Sequence, residues 1–389
     1  MCVLGECSVR ARTLRILVIN WRDIKNPEAG GAEVHLHEIF RRVASRGHEV
    51  VLLASGFPGG AGEETVDGIR VVRKGRWWNF NFVVPFLYLS RFRHLGFDIV
   101  VDDINKIPFY TPLFVHTPLL AMMHHLFGES IFHETALPFA LYVHGSEQVL
   151  PLVYRTTRMT VVSDSTRDEL VHKGISPSRI TVIHNGIDHN RYEPDLRRRV
   201  PEPNVVYLGR LKRYKSIDLV LQAMKLVLAQ VPEAKLTVVG DGDDRPRLEK
   251  TAVDLGIAGA VHFTGRVTEK EKIRWLQKAR IVVNPSRKEG WGVTVIESNA
   301  CGAPVIASDV PGLRDAVQDG KTGLLVRYGD VRDLAAGVVL MLRNPRVREE
   351  FSRRAIAWAR SFSWDRATHQ TLQVIEQMVS EGGRGRRDG

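Results

Sequence analysis

The sequence predicts an α/β protein of two domains, each built from repeated strand–helix–strand units. Near the N-terminus the apolar strand LRILVIN precedes the glycine pair Gly30–Gly31, a helical pattern and a second apolar strand, EVVLLAS. The same order starts again at NVVYLGR, after the proline-containing basic stretch EPDLRRRVPEPN. At 389 residues the chain can form two separate cores. Each half therefore predicts a Rossmann-like domain.

The changes in composition along the chain predict its segments. The linker is placed at the basic, proline-containing stretch, and the tail is expected to be disordered because it is polar and basic. The predicted segments are a leader (1–13), an N-terminal domain (14–195), a linker (196–203), a C-terminal domain (204–362), a C-terminal helix (363–380) and a tail (381–389).

Composition limits the class of protein. The 44% hydrophobic and 25% charged fractions are typical of a soluble globular protein, and no apolar run is long enough to span a membrane. MCVLGECSVRARTLR lacks the apolar core of a secretory signal. Cys2, Cys7 and Cys301 make no disulfide framework, so a reducing cytoplasm is expected.

The charge predicts anionic partners. A formal net charge of +11 and a pI near 9.7 favour anions such as nucleotide diphosphates, anionic lipid head groups or nucleic acid, and charge alone does not choose among them. No nucleic-acid-binding module is recognisable, so no nucleic-acid partner is expected. His35 and His37 lie two positions apart in a helical pattern and point to different sides, which argues against a shared metal ion.

The aromatic stretch 76–96, RWWNFNFVVPFLYLSRFRHLG, has two interpretations of equal weight. Its flanking arginines suit a segment that lies in a membrane surface. Alternatively it is a helix buried under the N-terminal sheet, since Pro85 interrupts a clean amphipathic pattern. It is too short to cross a bilayer.

Polar residues follow two apolar strands of the N-terminal half. Asp102–Asp103 and His124–His125 stand at predicted strand ends, where open α/β sheets bind ligands. A strand-end histidine is more often structural than functional. Further along, MTVVSDSTRDELVHKG predicts a strand and then a helix capped by Ser165.

Two cations open the C-terminal half. Arg210 follows the strand NVVYL and Lys215 lies five residues later, so together they could neutralise a diphosphate. The alternative is an ordinary solvated basic loop. Asp241-Gly242-Asp243 looks like a metal-binding pattern, but glycine and aspartate are turn formers and we expect a turn after a strand there.

The stretch NPSRKEGWGVTVIESNAC, 284–301, predicts a strand, a glycine-flanked loop and a helix that begins near Val293. Glu289 lies in the loop and Glu297 about a turn inside the helix. The helix N-terminus could bind phosphate, Glu297 a ribose and Glu289 a sugar. Taken alone, two glutamates at this spacing are usually just solvated.

The longer string removes that ambiguity. EGWGVTVIE, CGAPVIASD and GLRDAVQDGKTGLLV resemble the donor-binding signature of family 4 glycosyltransferases, nucleotide-sugar-dependent enzymes of the GT-B fold. The resemblance runs from Leu14 to about Met378 and includes HNGID and Phe-Ser-Trp-Asp. It implies two Rossmann-like domains that face a cleft, the first on the acceptor side and the second binding the nucleotide sugar. The C-terminal helix would cross back onto the first domain.

The resemblance also implies roles for single residues. Arg210 and Lys215 match the diphosphate pair, although Ser216 replaces the family's usual glycine; Glu289 matches the sugar contact. His124 matches a histidine that contacts the donor sugar, with His125 as the alternative register. The residues implied to bind the donor are Gly30, Gly31, Gly265, Val267, Gly290, Trp291, Gly292, Val293, Thr294 and Glu297.

The expected activity is that of a retaining hexosyltransferase. A hexose such as mannose or glucose would pass from a UDP- or GDP-sugar to a hydroxyl of a glycan or lipid-linked acceptor, in cell-envelope polysaccharide synthesis. We expect no cofactor or metal, and a cytoplasmic location with peripheral contact to the inner membrane face as an open alternative. The competing interpretations are a nucleotide-sugar epimerase of the same fold and a non-catalytic nucleotide-sugar or membrane-surface binding protein.

Overall fold

The structure is a computed structural model that describes residues 12–105, 107–133, 135–195, 197 and 202–385. Most of the predicted leader (1–13) and linker (196–203), and the end of the tail, lie outside these residues. The described chain divides into two compact units. The first takes in the described parts of Met1–Asp103, Phe109–Ala121 and Thr371–Gly389, and the second those of Ile104–Pro108 and Met122–Gln370.

The first sheet is mostly parallel. Its strands are β1 (Arg15–Ile19), β2 (Glu49–Ala54), β3 (Glu63–Val66), β4 (Ile69–Arg73), β5 (Ile99–Ile104), β6 (Leu119–Met123), β7 (Arg158–Val161) and β8 (Ile180–Val182). They run in the order β3-β4-β2-β1-β5-β6-β7-β8. β1 pairs in parallel with β2 and β5, whereas β3 and β4 are antiparallel. The helices in this half are α1 (Gly31–Ser45), α2 (Phe80–Ser90), α3 (Leu137–Val153) and α4 (Asp164–His172).

The second sheet has the order β11-β10-β9-β12-β13-β14, and its strand pairs are parallel. The strands are β9 (Asn204–Leu208), β10 (Lys235–Val239), β11 (Val261–Gly265), β12 (Ile281–Asn284), β13 (Val305–Ser308) and β14 (Gly323–Val326). The helices are α5 (Ile217–Leu228), α6 (Arg245–Asp254), α7 (Glu269–Lys278), α8 (Val293–Ala300), α9 (Leu313–Ala316), α10 (Val331–Arg343), α11 (Pro345–Ala359) and α12 (Trp364–Gly385).

The strand order determines where a ligand can bind. In the second sheet the chain runs outward from β9 in both directions, first to β10 and β11 and then to β12, β13 and β14. The adjacent carboxyl ends of β9 and β12 are therefore a topological switch point, where open α/β sheets leave a crevice. Arg210 follows β9 and Glu289 follows β12, so this sheet brings both to that crevice.

Both faces of the second sheet are buried, as expected for a parallel sheet covered by helices. Val205 and Tyr207 of β9 belong to the core formed with α5 and α10, while Val206 between them belongs to the core formed with α8. Such alternation follows from strand geometry, because successive side chains point to opposite faces. The switch-point loops thus extend from a rigid base.

Helix α2 forms residues 80–90 of the stretch 76–96, and one of its sides is buried. Phe80, Val84 and Tyr88 are buried in the core of the first unit. On the other side, Phe82 is 78% exposed and Phe86 69% exposed, and the preceding Trp77 and Trp78 are exposed as well. The segment is thus a half-buried helix whose solvent side carries aromatic rings.

Three local predictions differ from the structure. The N-cap of α4 is Ser163, not Ser165, because Ser163 has the extended backbone and its Oγ accepts the N–H of Thr166. Asp102 and Asp103 lie inside β5 and are buried, so they are not open strand-end groups. Helix α12 continues to Gly385, into the predicted tail.

The HNGID and Phe-Ser-Trp-Asp strings meet in the second unit. Ile187 forms a parallel bridge with Ser363, and His189 Nε2 lies 2.7 Å from the carbonyl oxygen of Phe362. A Cβ on Gly186 would come within 2.1 Å of the main-chain nitrogen of Trp364. Glycine is required at 186 because two backbones approach there.

Candidate active site

Lys215 and Glu289 meet at the switch point. Lys215 ends a short 3₁₀ turn after β9, and its Nζ forms an ion pair with Glu289 Oε1. The Lys215 side chain is 14% exposed and that of Glu289 18% exposed. Ser286 Oγ also donates to Glu289 Oε1, at 2.8 Å. Two groups 74 positions apart in sequence therefore form one polar centre.

The charge of this centre suits an anion. Burial lowers the pKa of Lys215, and the Glu289 carboxylate raises it. The pKa of Lys215 is above its usual value as a result. Arg210 is exposed, and its positive charge acts on Lys215 in the opposite sense to Glu289. Its guanidinium forms no hydrogen bond or ion pair with the residues that the structure describes. One cation is thus neutralised and the second is available.

The N-terminus of α8 adds main-chain donors. Its N-cap, Gly292, has φ 68° and ψ 49°, a left-handed conformation that favours glycine. Val293 and Thr294 are the first two helical residues, so their N–H groups have no acceptor inside the helix. Asn284 Nδ2 donates to Thr294 Oγ1 at 3.2 Å and ties β12 to this turn. The helix therefore begins as predicted and presents a partial positive charge.

Glu297 is held by partners that the sequence did not indicate. Its Oε1 accepts from Lys272 Nζ and from the Tyr192 hydroxyl, each at 2.9 Å. The Tyr192 hydroxyl also contacts the carboxylate of Glu269. Burial and these two carboxylates raise the pKa of Tyr192, which keeps the hydroxyl a donor. Within the described chain, Glu297 Oε2 makes no hydrogen bond and can accept one from a ligand.

His124 borders the Glu289 loop. It directly follows β6 and is buried, and Thr166 Oγ1 donates to its carbonyl oxygen at 3.5 Å. A Cβ on Gly290 would lie 2.7 Å from that oxygen, so the two main chains are in contact. The His125 ring instead packs 4.5 Å from the Phe127 ring, centroid to centroid. Gly290 thus adjoins both histidines: the His124 carbonyl oxygen, and the His125 Cβ, which would lie 3.5 Å from the same added Cβ.

Trp291 has a packing role that the sequence did not reveal. Its indole is buried, stacks on His184 at 4.3 Å and meets Phe362 edge-on at 5.1 Å.

Gly265 ends β11 with φ 72°, and its carbonyl accepts the N–H of Gly240. Val267 follows and packs against the core that contains α8. The structure places these three residues around the same sheet, and Trp291 Nε1 has no hydrogen-bond partner among the described residues.

Gly30 and Gly31 belong to the first unit. Gly30 is the N-cap of α1 with φ −134°, and its N–H donates to Glu33 Oε2 at 2.7 Å. A Cβ on Gly31 would meet nothing within 4 Å. Neither backbone conformation nor local packing requires glycine here. The pair begins α1 as the sequence predicts.

The described ranges also bear on metal binding and on insertion into a membrane. Those ranges contain no group of three or more His, Cys, Asp or Glu side chains placed to hold a metal ion. Asp241-Gly242-Asp243 lies between β10 and α6, and Asp243 pairs with Lys212 Nζ at 2.9 Å. A Cβ on Gly242 would come 2.2 Å from the Leu211 carbonyl oxygen, and the Arg245 N–H donates to the Gly242 carbonyl oxygen at 3.2 Å, as expected for a turn after the strand. No described helix has the length and apolarity needed to cross a bilayer.

Two family models match adjacent parts of the chain. "Glycosyltransferase Family 4" matches residues 29–191 and "Glycosyl transferases group 1" matches residues 188–358. Together with the two sheets, these matches define the class of protein, which is a glycosyltransferase. The chain belongs to the family 4, group 1 glycosyltransferases with the GT-B fold.

Relatives and solved structures agree with this assignment. The D-inositol 3-phosphate glycosyltransferase of Nocardioides sp. is 33% identical over 266 residues, which cover 62% of this chain and 57% of the relative. The chain therefore spans less than two thirds of that relative. Sucrose-phosphate synthase from Thermosynechococcus elongatus has a TM-score of 0.79 at 21% identity and covers 95% of this chain and 100% of its own. Anabaena HepE, solved with UDP and glucose, has a TM-score of 0.74 at 16% identity, with coverage of 94% and 100%. The structural likeness confirms the predicted fold.

Proposed function

We propose that this chain is a retaining hexosyltransferase that uses a UDP- or GDP-sugar and acts on a hydroxyl of a glycan or lipid-linked acceptor. The observation that carries the proposal is the Lys215–Glu289 ion pair at the switch point, flanked by the N-terminus of α8 and by Arg210, which pairs with none of the described residues. A diphosphate needs cations and N–H donors, and a sugar needs a carboxylate that accepts from hydroxyls. This centre supplies both within one crevice.

The chemical step would depend on charge stabilisation. The bond from the anomeric carbon to the diphosphate oxygen breaks, and the acceptor oxygen bonds to the same carbon on the same face. The acceptor proton passes to the leaving phosphate, so no protein nucleophile is needed. Arg210, Lys215 and the N–H groups of Val293 and Thr294 stabilise the negative charge of the leaving group. Loss of one such donor typically lowers turnover by about 10²–10³.

The remaining residues would orient the donor. Glu297 Oε2 accepts from the ribose while Oε1 stays fixed by Lys272 and Tyr192. His124 contacts a sugar hydroxyl next to Glu289, since its main chain already borders that loop. The main chain at Gly265 to Val267 takes the base. Gly30 and Gly31 allow close approach of a ligand, which explains glycine where the fold does not require it.

The first test is a donor screen. Purified protein is incubated with UDP-, GDP- and ADP-sugars, with and without membrane extract and EDTA, and release of the nucleotide diphosphate is followed. Turnover of one donor that depends on the extract, survives EDTA and is lost in Glu289→Ala supports a metal-independent transferase. UDP-sugars come first because HepE was solved with UDP and glucose. Turnover that is abolished by EDTA contradicts the metal-independent step.

The acceptor would lie at the cytoplasmic face of the membrane. Trp77, Trp78, Phe82 and Phe86 form an exposed aromatic surface, and Arg76 precedes it. Aromatic rings beside cations suit the interface of an anionic bilayer. We name these four aromatic residues the α2 surface.

Liposome sedimentation tests the α2 surface. Vesicles with an anionic lipid should bind the wild type at low salt, and Phe82→Ser/Phe86→Ser should lower binding at least tenfold. The matched control is Leu340→Ser, an exposed apolar residue of α10. Equal binding by all three proteins, or none by the wild type, contradicts the membrane location.

A further inference from the structure

Glu147 is a buried carboxylate beside the proposed active site. It is 1% exposed and is the only Asp, Glu, Lys or Arg residue of α3. Its Oε1 accepts the main-chain N–H of Phe127 at 2.5 Å, and its Oε2 accepts that of Gly128 at 2.8 Å. Both oxygens of one carboxylate therefore bind two consecutive peptide groups, three and four residues after His124.

Burying a carboxylate costs free energy, so a buried glutamate at this position needs a physical explanation. Burial raises the pKa of Glu147 because desolvation penalises the charged form, while the two N–H groups and the Lys288 cation act the other way. Two buried N–H groups can be satisfied by neutral acceptors at less cost. A carboxylate instead fixes both peptide planes, because charge-assisted hydrogen bonds are shorter and stronger than neutral ones.

The segment that Glu147 holds, 124–128, also contacts the Glu289 loop. At its start, the His124 carbonyl oxygen lies against Gly290. At its end, a Cβ on Gly128 would lie 3.9 Å from Lys288 Nζ, and Lys288 itself pairs with Glu169 at 2.8 Å. The position of His124 relative to Glu289 therefore depends on how firmly this segment is held.

We propose that Glu147 is a positioning residue for sugar transfer: through the Phe127 and Gly128 amides it sets the place of His124 against the donor sugar. The inference rests on the proposed function, in which His124 contacts that sugar. Glu147 itself touches no substrate. Its effect on turnover passes through His124, and this separates positioning from a general contribution to stability.

The first experiment compares Glu147→Gln with the wild type. The amide turns an N–H₂ donor toward one of the two N–H groups, so one hydrogen bond is lost at nearly constant volume. We expect kcat to fall about 10- to 100-fold, as small misplacements at an active site do, with unchanged affinity for the free nucleotide diphosphate. The control, Asp330→Ala, removes the cap of α10 and should leave kcat unchanged. A kcat within twofold of the wild type overturns the proposal.

A double-mutant cycle tests the route of the effect. If Glu147 acts through His124, then Glu147→Gln should cost nothing further in a His124→Ala background. Fully additive losses mean that Glu147 acts in another way, and they overturn the proposal even if the single variant is slow.

A binding measurement separates this proposal from the proposed function. Calorimetry measures the affinity of the protein for the nucleotide sugar and for the nucleotide diphosphate. The gain is the factor by which the nucleotide sugar binds more tightly. Glu147→Gln and His124→Ala should lose the same part of that gain, whether or not sugar is transferred. If the wild type turns over no donor but this gain is lost in both variants, the proposed transferase activity is refuted and the positioning role of Glu147 is supported. If Glu147→Gln keeps the gain, or the wild type shows no gain, the proposed positioning role of Glu147 is refuted.

Discussion

Replacing Lys215 by methionine separates the structural and chemical roles of the switch-point ion pair. The substitution keeps most of the side-chain volume but leaves the Glu289 carboxylate with Ser286 Oγ and no cation. Exposed pairs contribute about 0–1 kcal/mol, whereas loss of one partner from a buried pair costs about 3–5 kcal/mol. With side chains 14% and 18% exposed, we expect an intermediate loss of about 2 kcal/mol in the free energy of unfolding.

The double variant Lys215→Met/Glu289→Gln removes the uncompensated charge as well. It should regain most of that stability, because both charges of the pair are gone. Turnover should stay about 10²–10³ below the wild type in both variants, since the leaving diphosphate has lost a cation. Urea unfolding and release of nucleotide diphosphate measure the two quantities on the same samples.

A second lysine of the same loop provides the control. Lys212 pairs with Asp243, and both side chains are largely exposed, so Lys212→Met should change neither stability nor turnover appreciably. Turnover of Lys215→Met within threefold of the wild type refutes the reasoning. So does a double variant that recovers turnover together with stability.

Three further predictions concern the same region. Gly290→Ala would place a Cβ 2.7 Å from the His124 carbonyl oxygen and should lower turnover at least tenfold. The control Gly259→Ala places its Cβ in open space and should leave turnover unchanged. Equal turnover by the two variants would contradict the role of the Gly290–His124 contact. Gly31→Ala should keep its melting temperature yet raise KM for the donor, and an unchanged KM argues against ligand approach there. Burial lowers and Glu289 raises the pKa of Lys215 to a net raised value, so the stabilisation by the lysine charge is fully present below the unfolded pKa of about 10.4 and is lost as the pH rises through the higher folded pKa. Urea unfolding should therefore separate the wild type from Lys215→Met by the same amount at pH 7 and pH 9, and a difference that vanishes at pH 9 contradicts it.

Local signals were enough to predict much of this molecule. Apolar strands followed by glycine turns predicted the βα units, and the start of α8 at Val293 was predicted correctly because Gly292 ends the preceding loop. Motifs indicate Lys215 and Glu289 as site residues, although they do not indicate the contact between the two side chains. The GT-B fold is confirmed, while the roles of the individual site residues remain predictions.

Long-range packing explains what the sequence did not reveal. Tyr192 and Lys272 hold Glu297 from 105 and 25 positions away, a relation that no local pattern records. Glu147 left one faint signal, a lone acid in an apolar helix, which by itself does not tell burial from exposure. For α4, Ser163 and Ser165 were both chemically suitable caps, and only the backbone conformation selects the first.

The most direct test of the central claim follows the sugar itself. Donor labelled in its sugar, taken from the screen, is incubated with membrane extract and either the wild type or Lys215→Met, and the label is then traced. We predict label in the glycan or lipid fraction with the wild type and about 10²–10³ less with the variant. Label found only in free sugar, or in an isomer of the donor, would contradict transfer and favour an epimerase.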